Sequence, residues 1–554
     1  FTGSAGDVVV TRTTAGLWTD SRYHLQAELE LDSRTFTLFK LGAPGVPGWQ
    51  EWLARELKKG SVVGIDPKLI THADFVRLEK ILMDSGKRLK AVDQNLVDML
   101  WKDRPDPSRR PVLPHPPRFA GETVASKLSR VRGKMKEAGV DFHILSRLDD
   151  IAWLFNFRGS DVSYNPVAVA YALVGRNVAR LYINPAKTTP ALASALKGRA
   201  DLRPYEAFSG DLDRLARQRL RVWADDGSTS RWITLSLGKK TAWHFDPSPV
   251  GLFKAVKNAA EIRGAREAHL ADGAALVRFL SWLDRTAGSG KVTELSAERN
   301  LLEFRAQNRF FRGPSFRTIS AFGPHAAVVH YAADEKSDIP LGPRGLYLID
   351  SGGQYRNATT DITRTVCLGR PRREEREAFS LVLKGLIALT TAAFPAGTAG
   401  RQLDVLARTA LWERGMNYGH GTGHGVGAFL SVHEGPQAIS PTRCRGTALE
   451  PGMITSIEPG FYREDRFGVR IENLALVVAD ESRSSADGKY MTFKTLSLCP
   501  IDIPALNLKL LTPREIAWLN AYHARVRKAL TPLLDRVEAE WLTRATRRLQ
   551  NPGL

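Results

Sequence analysis

Five potential metal ligands fall in order along residues 346–473: Asp350 in LYLIDSGG, Asp361 in TTDITRT, His424 in GHGTGHGVG, Glu458 in TSIEPG and Glu472 in VRIEN. The aspartates adjoin the runs Leu346-Tyr347-Leu348-Ile349 and Thr359-Thr360 with Ile362-Thr363, and the turn formers Ser351-Gly352-Gly353 lie between them. This pattern predicts a hairpin with both aspartates at one mouth. Glu458 and Glu472 repeat the arrangement, each after a short apolar run, so four carboxylates are expected to converge on one imidazole. Two like charges about 4 Å apart repel by roughly 4 kcal/mol at an effective dielectric near 20. Divalent cations remove that cost, and an oxygen-rich set with a single histidine suits Mn²⁺, Zn²⁺ or Co²⁺. Two such ions a few ångströms apart share a water, lower its pKa and aim it at a carbonyl. A lone aspartate after a strand is ordinarily a solvated or paired charge. Five ligands in glycine-rich turn chemistry point instead to a dinuclear hydrolytic centre.

The elements that must position these residues come last in a long chain. At 554 residues, two or three domains are expected. In the first stretch, Asp7–Thr11 and Gly16–Thr19 read as strands, Trp49–Lys59 as a helix and Ser61–Ile65 as a buried strand. That alternation predicts an α/β domain over 1–102. A Pro- and Arg-rich segment, 103–121, reads as a linker into a second α/β domain ending near 256. This second domain has a helix with Val124, Leu128, Val131 and Met135 on one face and a strand at Phe142–Leu145. From Lys257 the sequence KNAAEIRGAREAHLADGAALVRFLSWL reads as a long helix opening a third domain, 257–554. Thr512 and Pro513 start one or two basic amphipathic helices at the end, for which packing is the simpler role.

Composition excludes several classes. No run approaches the roughly 18 apolar residues that span a bilayer. Three scattered cysteines, Cys367, Cys444 and Cys499, form neither a disulfide framework nor a Cys-type zinc site, which favours a reducing compartment. The formal charge of +20 is spread along the chain, so a solvated Arg-rich surface is expected and not a nucleic-acid site. GHGTGHGVG lacks the Lys-Ser/Thr ending of a nucleotide P-loop.

The ordered set Asp350, Asp361, His424, Glu458, Glu472 resembles the metal site of the pita-bread metallopeptidases. HYAA at 330–333, VHEGP at 432–436 and EPGFY at 458–462 look like the cytosolic, three-domain aminopeptidase P type. The resemblance implies two creatinase-like α/β domains followed by a pita-bread catalytic domain, an α/β and α+β multidomain chain. It implies two divalent ions, Mn²⁺ first, with Asp361 and Glu472 bridging, Asp350 completing one site and His424 and Glu458 the other. The implied activity is release of the first residue from peptides with proline second, in a cytoplasmic homodimer. Rival readings are a prolidase, which would share all five ligands, and a non-catalytic module that binds proteins.

Glu458 would also carry a proton towards the leaving nitrogen. His433 is assigned to the oxyanion, and His330 and His420 to the leaving side. Arg470 precedes Glu472 by two and would face the same way in a strand, orienting a bridging carboxylate, binding substrate or forming a structural ion pair. Tyr462 would hydrogen-bond a carboxylate ligand. His24, His115, His143 and His523 read as packed or solvated. FTGSAGDVVVT and LWTDSRYHLQA resemble words well inside the family's first domain, so the chain is expected to lack its true start, and any targeting segment would be invisible.

Overall fold

The computed structural model describes residues 1–442, 446–486 and 488–550; Cys444 lies outside them. The chain forms two compact units. One comprises Thr2–Asp20 and Glu30–Lys254; the other comprises Phe1, Ser21–Leu29 and Ala255–Leu554. Among the described residues no helix is long and apolar enough to cross a membrane. Cys367 and Cys499 are free thiols.

In the first of these units, Asp7–Val10, Ala15–Thr19 and Phe36–Lys40 form a three-stranded sheet. Val62–Ile65 pairs in parallel with Arg88–Ala91. The strand at 62–65 is present as the sequence predicts, but it is not buried: only two strands make this sheet, and Val62 is 50% exposed. A six-stranded mixed sheet carries the remainder, with Phe142–Leu145 between Ala170–Gly175 and Arg221–Ala224. Thr123 caps the helix Val124–Glu137 by accepting from the Ser126 N–H, and Val124, Leu128, Val131 and Met135 are its buried face. Within the Pro-rich segment, Val112 is fully buried and Leu113–Pro114 pairs with Phe157–Arg158.

The other unit is entered through the helix Ala259–Thr286, which Asn258 and Glu261 close with a capping box. Its apolar side buries Leu276, Val277, Phe279 and Leu280. Behind it lie two three-stranded sheets and one of six strands. In the first, Gly345–Ser351 pairs antiparallel with Ile362–Leu368, so that Asp350 faces Thr363 in register. The connection is longer than a simple turn. It contains a second hairpin, Gly353–Tyr355 with Ala358–Thr359, that joins the other three-stranded sheet.

The six-stranded sheet repeats this plan. Ile454–Ile457 pairs with Asn473–Ala479, Ile457 opposite Asn473, while Gly460–Arg463 and Phe467–Arg470 form the inserted hairpin. Each plan sets two carboxylates where a strand pair gives way to its insert. The helices Arg373–Thr390 and Gly400–Trp412 belong to the core beneath this sheet, where Leu383, Leu386, Leu411 and Ile457 have no exposed surface. Each such side chain contributes about 1.5–3 kcal/mol. The capped helix Pro513–Leu530 joins the same core through Ile516, Leu519, Val526 and Leu530. The basic tail is therefore built into the unit by packing.

Candidate metal centre

Ligand atoms of Asp361, His424 and Glu472 all lie within 4.8 Å of one another. Asp361 immediately precedes the Ile362–Leu368 strand, and Glu472 immediately precedes Asn473–Ala479. His424 sits in the short strand Gly423–Gly425, which pairs with Glu434–Ile439 and touches Thr455 of the adjoining strand. The flanking glycines have a steric reason. A Cβ on Gly423 would lie 2.1 Å from the Ser456 carbonyl, and one on Gly425 would lie 2.2 Å from that of Glu434. Only glycine lets this strand approach its neighbours so closely.

The His424 ring is aimed by its own backbone. Its Nδ1–H donates to the Gly425 carbonyl at 2.9 Å, which leaves the Nε2 lone pair facing the carboxylates. Nε2 lies 3.3 Å from Glu458 Oε1 and 3.5 Å from Asp361 Oδ2. Ser456 joins the two residues: its hydroxyl accepts from the His424 backbone N–H at 2.9 Å and donates to Glu458 at 2.9 Å. Asp350 accepts from Arg470 Nη2 at 2.6 Å through Oδ2, and Thr363 donates to Glu472 Oε2 at 2.8 Å. Asp361, His424 and Glu472 thus group together, Glu458 adjoins His424, and Asp350 interacts electrostatically with Asp361.

Electrostatics show what the cluster lacks. Burial and the neighbouring Glu472, Asp350 and Glu458 push the Asp361 pKa far above the carboxylate range. Glu472 is raised in the same way by burial and by Glu458 and Asp350. Burial is the largest influence on Glu458 and works against its charge, but a protonated His424 donating to it, with the charges of His424, His420 and Arg470, lowers its pKa on balance. Asp350 Oδ1 and Glu472 Oε1 are buried with no hydrogen-bond partner. Buried polar atoms normally find partners, so two orphaned carboxylate oxygens in one cluster are acceptors awaiting a cation. The donor set fits a pair of hard or borderline divalent ions.

The expected helpers surround the cluster in different ways. Arg470, 2% exposed, binds Asp350 and also donates from Nε to Thr363 at 3.2 Å and from Nη1 to the Tyr462 hydroxyl at 2.6 Å. The strand argument for Arg470 does not hold, because its strand ends at Arg470 and Glu472 lies outside it. Its carboxylate partner is Asp350. Tyr462 bonds no carboxylate; its hydroxyl lies 2.8 Å from His420 Nε2, and His420 Nδ1 lies 2.8 Å from the Gly421 carbonyl. Both nitrogens of His420 are engaged by protein, and burial lowers its pKa to about 4. The exposed His433 ring packs edge-on to His424, centroids 4.4 Å apart. His330 is held neutral by burial and by Arg470, Arg22, His433 and His420. His115 and His143 are buried and His24 is half-buried, while His523 Nε2 accepts from the Ile501 N–H.

Sequence reasoning missed the supports. Arg364, 1% exposed, donates to the backbone carbonyl of Glu472 at 2.5 Å and to Asn473 and Tyr522, fixing the strand that follows the ligand. Ser456 and Thr363 each sit two positions from a ligand, in strands that end or begin next to it. The Lys257–Glu434 ion pair, 2.7 Å and fully buried, anchors the backbone next to His433.

The pattern of metallopeptidase family M24 matches residues 263–479, that of the creatinase/prolidase N-terminal domain matches 103–261, and that of the M24 C-terminal region matches 489–549. A probable Xaa-Pro aminopeptidase P of Neosartorya fischeri is 41% identical, covering 99% of this chain and 86% of the relative. One from Pyricularia oryzae is also 41% identical, with 99% and 91% covered. The solved X-prolyl aminopeptidase of Caenorhabditis elegans, described as a cytosolic enzyme with a di-nuclear active site, superposes with a TM-score of 0.95 at 37% identity, covering 99% of this chain and 91% of that one. Prolidase from Pyrococcus furiosus reaches a TM-score of 0.51 at 25% identity, over 66% of this chain and 98% of that one.

Proposed function

Since the chain belongs to the Xaa-Pro aminopeptidase P family, we infer that it is a dinuclear-metal aminopeptidase releasing the first residue from peptides with proline in the second position. The observation that carries this reading is the cluster of Asp361, His424 and Glu472, with Glu458 3.3 Å from His424 and partnerless carboxylate oxygens on Asp350 and Glu472. Two divalent ions held by these residues, which we assign as Mn²⁺, would polarise the scissile carbonyl and lower the pKa of the attacking water.

The chain's own groups do the rest. Glu458, held by Ser456 and His424, takes the proton of the attacking water and passes it towards the leaving nitrogen. That nitrogen belongs to a tertiary amide with no N–H of its own, so it leaves only as it is protonated. His433, exposed beside His424, donates to the oxygen of the developing tetrahedral centre. His330 serves the leaving side. Arg470 and Tyr462 hold Asp350 and His420 in place, and we assign these last two contacts a positioning role.

We also propose the division 1–102, 103–256 and 257–554, a cytoplasmic location like that described for the nematode enzyme, and a homodimer, which light scattering would check. The decisive experiment for the activity compares Arg-Pro-Pro, Arg-Pro and Arg-Ala-Ala after metal stripping and Mn²⁺ reloading. Cleavage of only the tripeptide's Arg-Pro bond supports the reading. Preference for the dipeptide would make the chain a prolidase, and silence on all three would favour a binding module.

A further inference from the structure

The segment Ser21–Leu29 groups with Ala255–Leu554 although more than two hundred residues separate them in sequence. It carries SRYHLQAEL, a word the ligand set does not account for. Two contacts fix it there. The Tyr23 hydroxyl lies 2.8 Å from His330 Nδ1, with the rings edge-on at 5.2 Å. Ser21 lies over Gly419 at the head of GHGTGHGVG, where a Cβ on that glycine would meet its Oγ at 2.6 Å. Tyr23 is only 3% exposed and Arg22 lies over its ring at 5.2 Å. A phenol hydroxyl can donate to an imidazole nitrogen or accept from it, and the role it takes sets what the other nitrogen can do.

We propose that Tyr23 is a positioning residue for His330: its hydroxyl donates to Nδ1, which places the ring proton on Nε2 and presents Nε2–H as a donor to the peptide carbonyl on the leaving side. The alternative tautomer would leave Nε2 with only a lone pair, which would repel a carbonyl oxygen. Burial, with Arg470 and Arg22, disfavours the doubly protonated ring, which leaves the two neutral tautomers that the Tyr23 contact would tell apart. The assignment rests on the Xaa-Pro aminopeptidase reading for the identity of the acceptor, though not for the tautomer itself.

Two measurements test it. In a double-mutant cycle with Mn²⁺-loaded enzyme and Arg-Pro-Pro, Tyr23→Phe should lower kcat/KM about tenfold, as expected for one lost orienting hydrogen bond, and cost nothing further in a His330→Phe background. Unchanged activity in Tyr23→Phe, or losses that multiply in the double variant, would overturn the proposal. Independently of any activity, ¹⁵N-histidine long-range NMR of the wild type, with His330→Phe to identify the ring, should show an unprotonated Nδ1 that accepts a hydrogen bond and that shifts in Tyr23→Phe. A protonated Nδ1 would sink the idea. If the wild type cleaves no Xaa-Pro peptide while Nδ1 is the acceptor, the activity reading fails and the role of Tyr23 stands.

Discussion

Asp361 carries two opposing demands. With ions bound it is a ligand; without them it is a buried acid crowded by three others. Asp361→Asn should therefore abolish the rise in melting temperature that Mn²⁺ gives the wild type, while the metal-free variant melts above the metal-free wild type. A metal-free variant that melts lower would show that the carboxylates do not repel. Arg470 makes a different prediction. Its planar fork serves Asp350, Thr363 and Tyr462 at once, and a lysine ammonium cannot reach all three. Arg470→Lys should lower metal affinity or kcat/KM by about 10–100-fold, as loss of a residue supporting the ligands does elsewhere. Metal titration beside Arg-Pro-Pro kinetics would register it, and unchanged values would remove Arg470 from the site.

Strands and their packing decide how closely the ligands approach. Gly423→Ala places a methyl 2.1 Å from a backbone carbonyl that cannot move without shifting the strand ahead of Glu458. It should destabilise this unit by about 1–3 kcal/mol or more. Gly133, inside the helix Val124–Glu137, has nothing within 4 Å of its missing Cβ, so Gly133→Ala should stabilise its unit by about 0.5–1 kcal/mol. Urea unfolding of the two variants gives opposite signs if backbone proximity governs both sites. This level also explains what the sequence made legible. The ligands were readable because each sits where an apolar run meets turn residues, and the capped helices because their caps and faces are local. The exposure of Val62 departs from expectation because a two-stranded sheet buries less than a continuous apolar run promises. Arg364 was invisible because its partners, at positions 473, 499, 500 and 522, are set by packing and not by spacing.

At the scale of the whole chain, each unit carries a buried neutral histidine. His143 bonds the Trp223 carbonyl and the Ser248 hydroxyl, and burial lowers its pKa to about 4. Burial, with Arg364 and Arg527 nearby, lowers that of His523 to about 3. Between those values and the ordinary value of about 6.5, the unfolded chain binds protons that the folded one does not. Their contribution is therefore complete above pH 6.5 and falls as pH drops towards 4 and 3. Denaturation midpoints at pH 7.5 and 5 should show a shallower acid-side fall in His143→Gln than in the wild type, in the transition that reports on residues 30–254. An equal slope in both would remove this histidine from the acid response.

The excursion of Ser21–Leu29 into the other unit also has a cost in time. Tyr23 and His330 are 307 residues apart. At about 5–20 residues per second of synthesis, Tyr23 leaves the ribosome roughly 15–60 s before its partner exists. Those nine residues therefore wait for a partner made much later in synthesis, although the strands on either side of them, Ala15–Thr19 and Phe36–Lys40, can already pair.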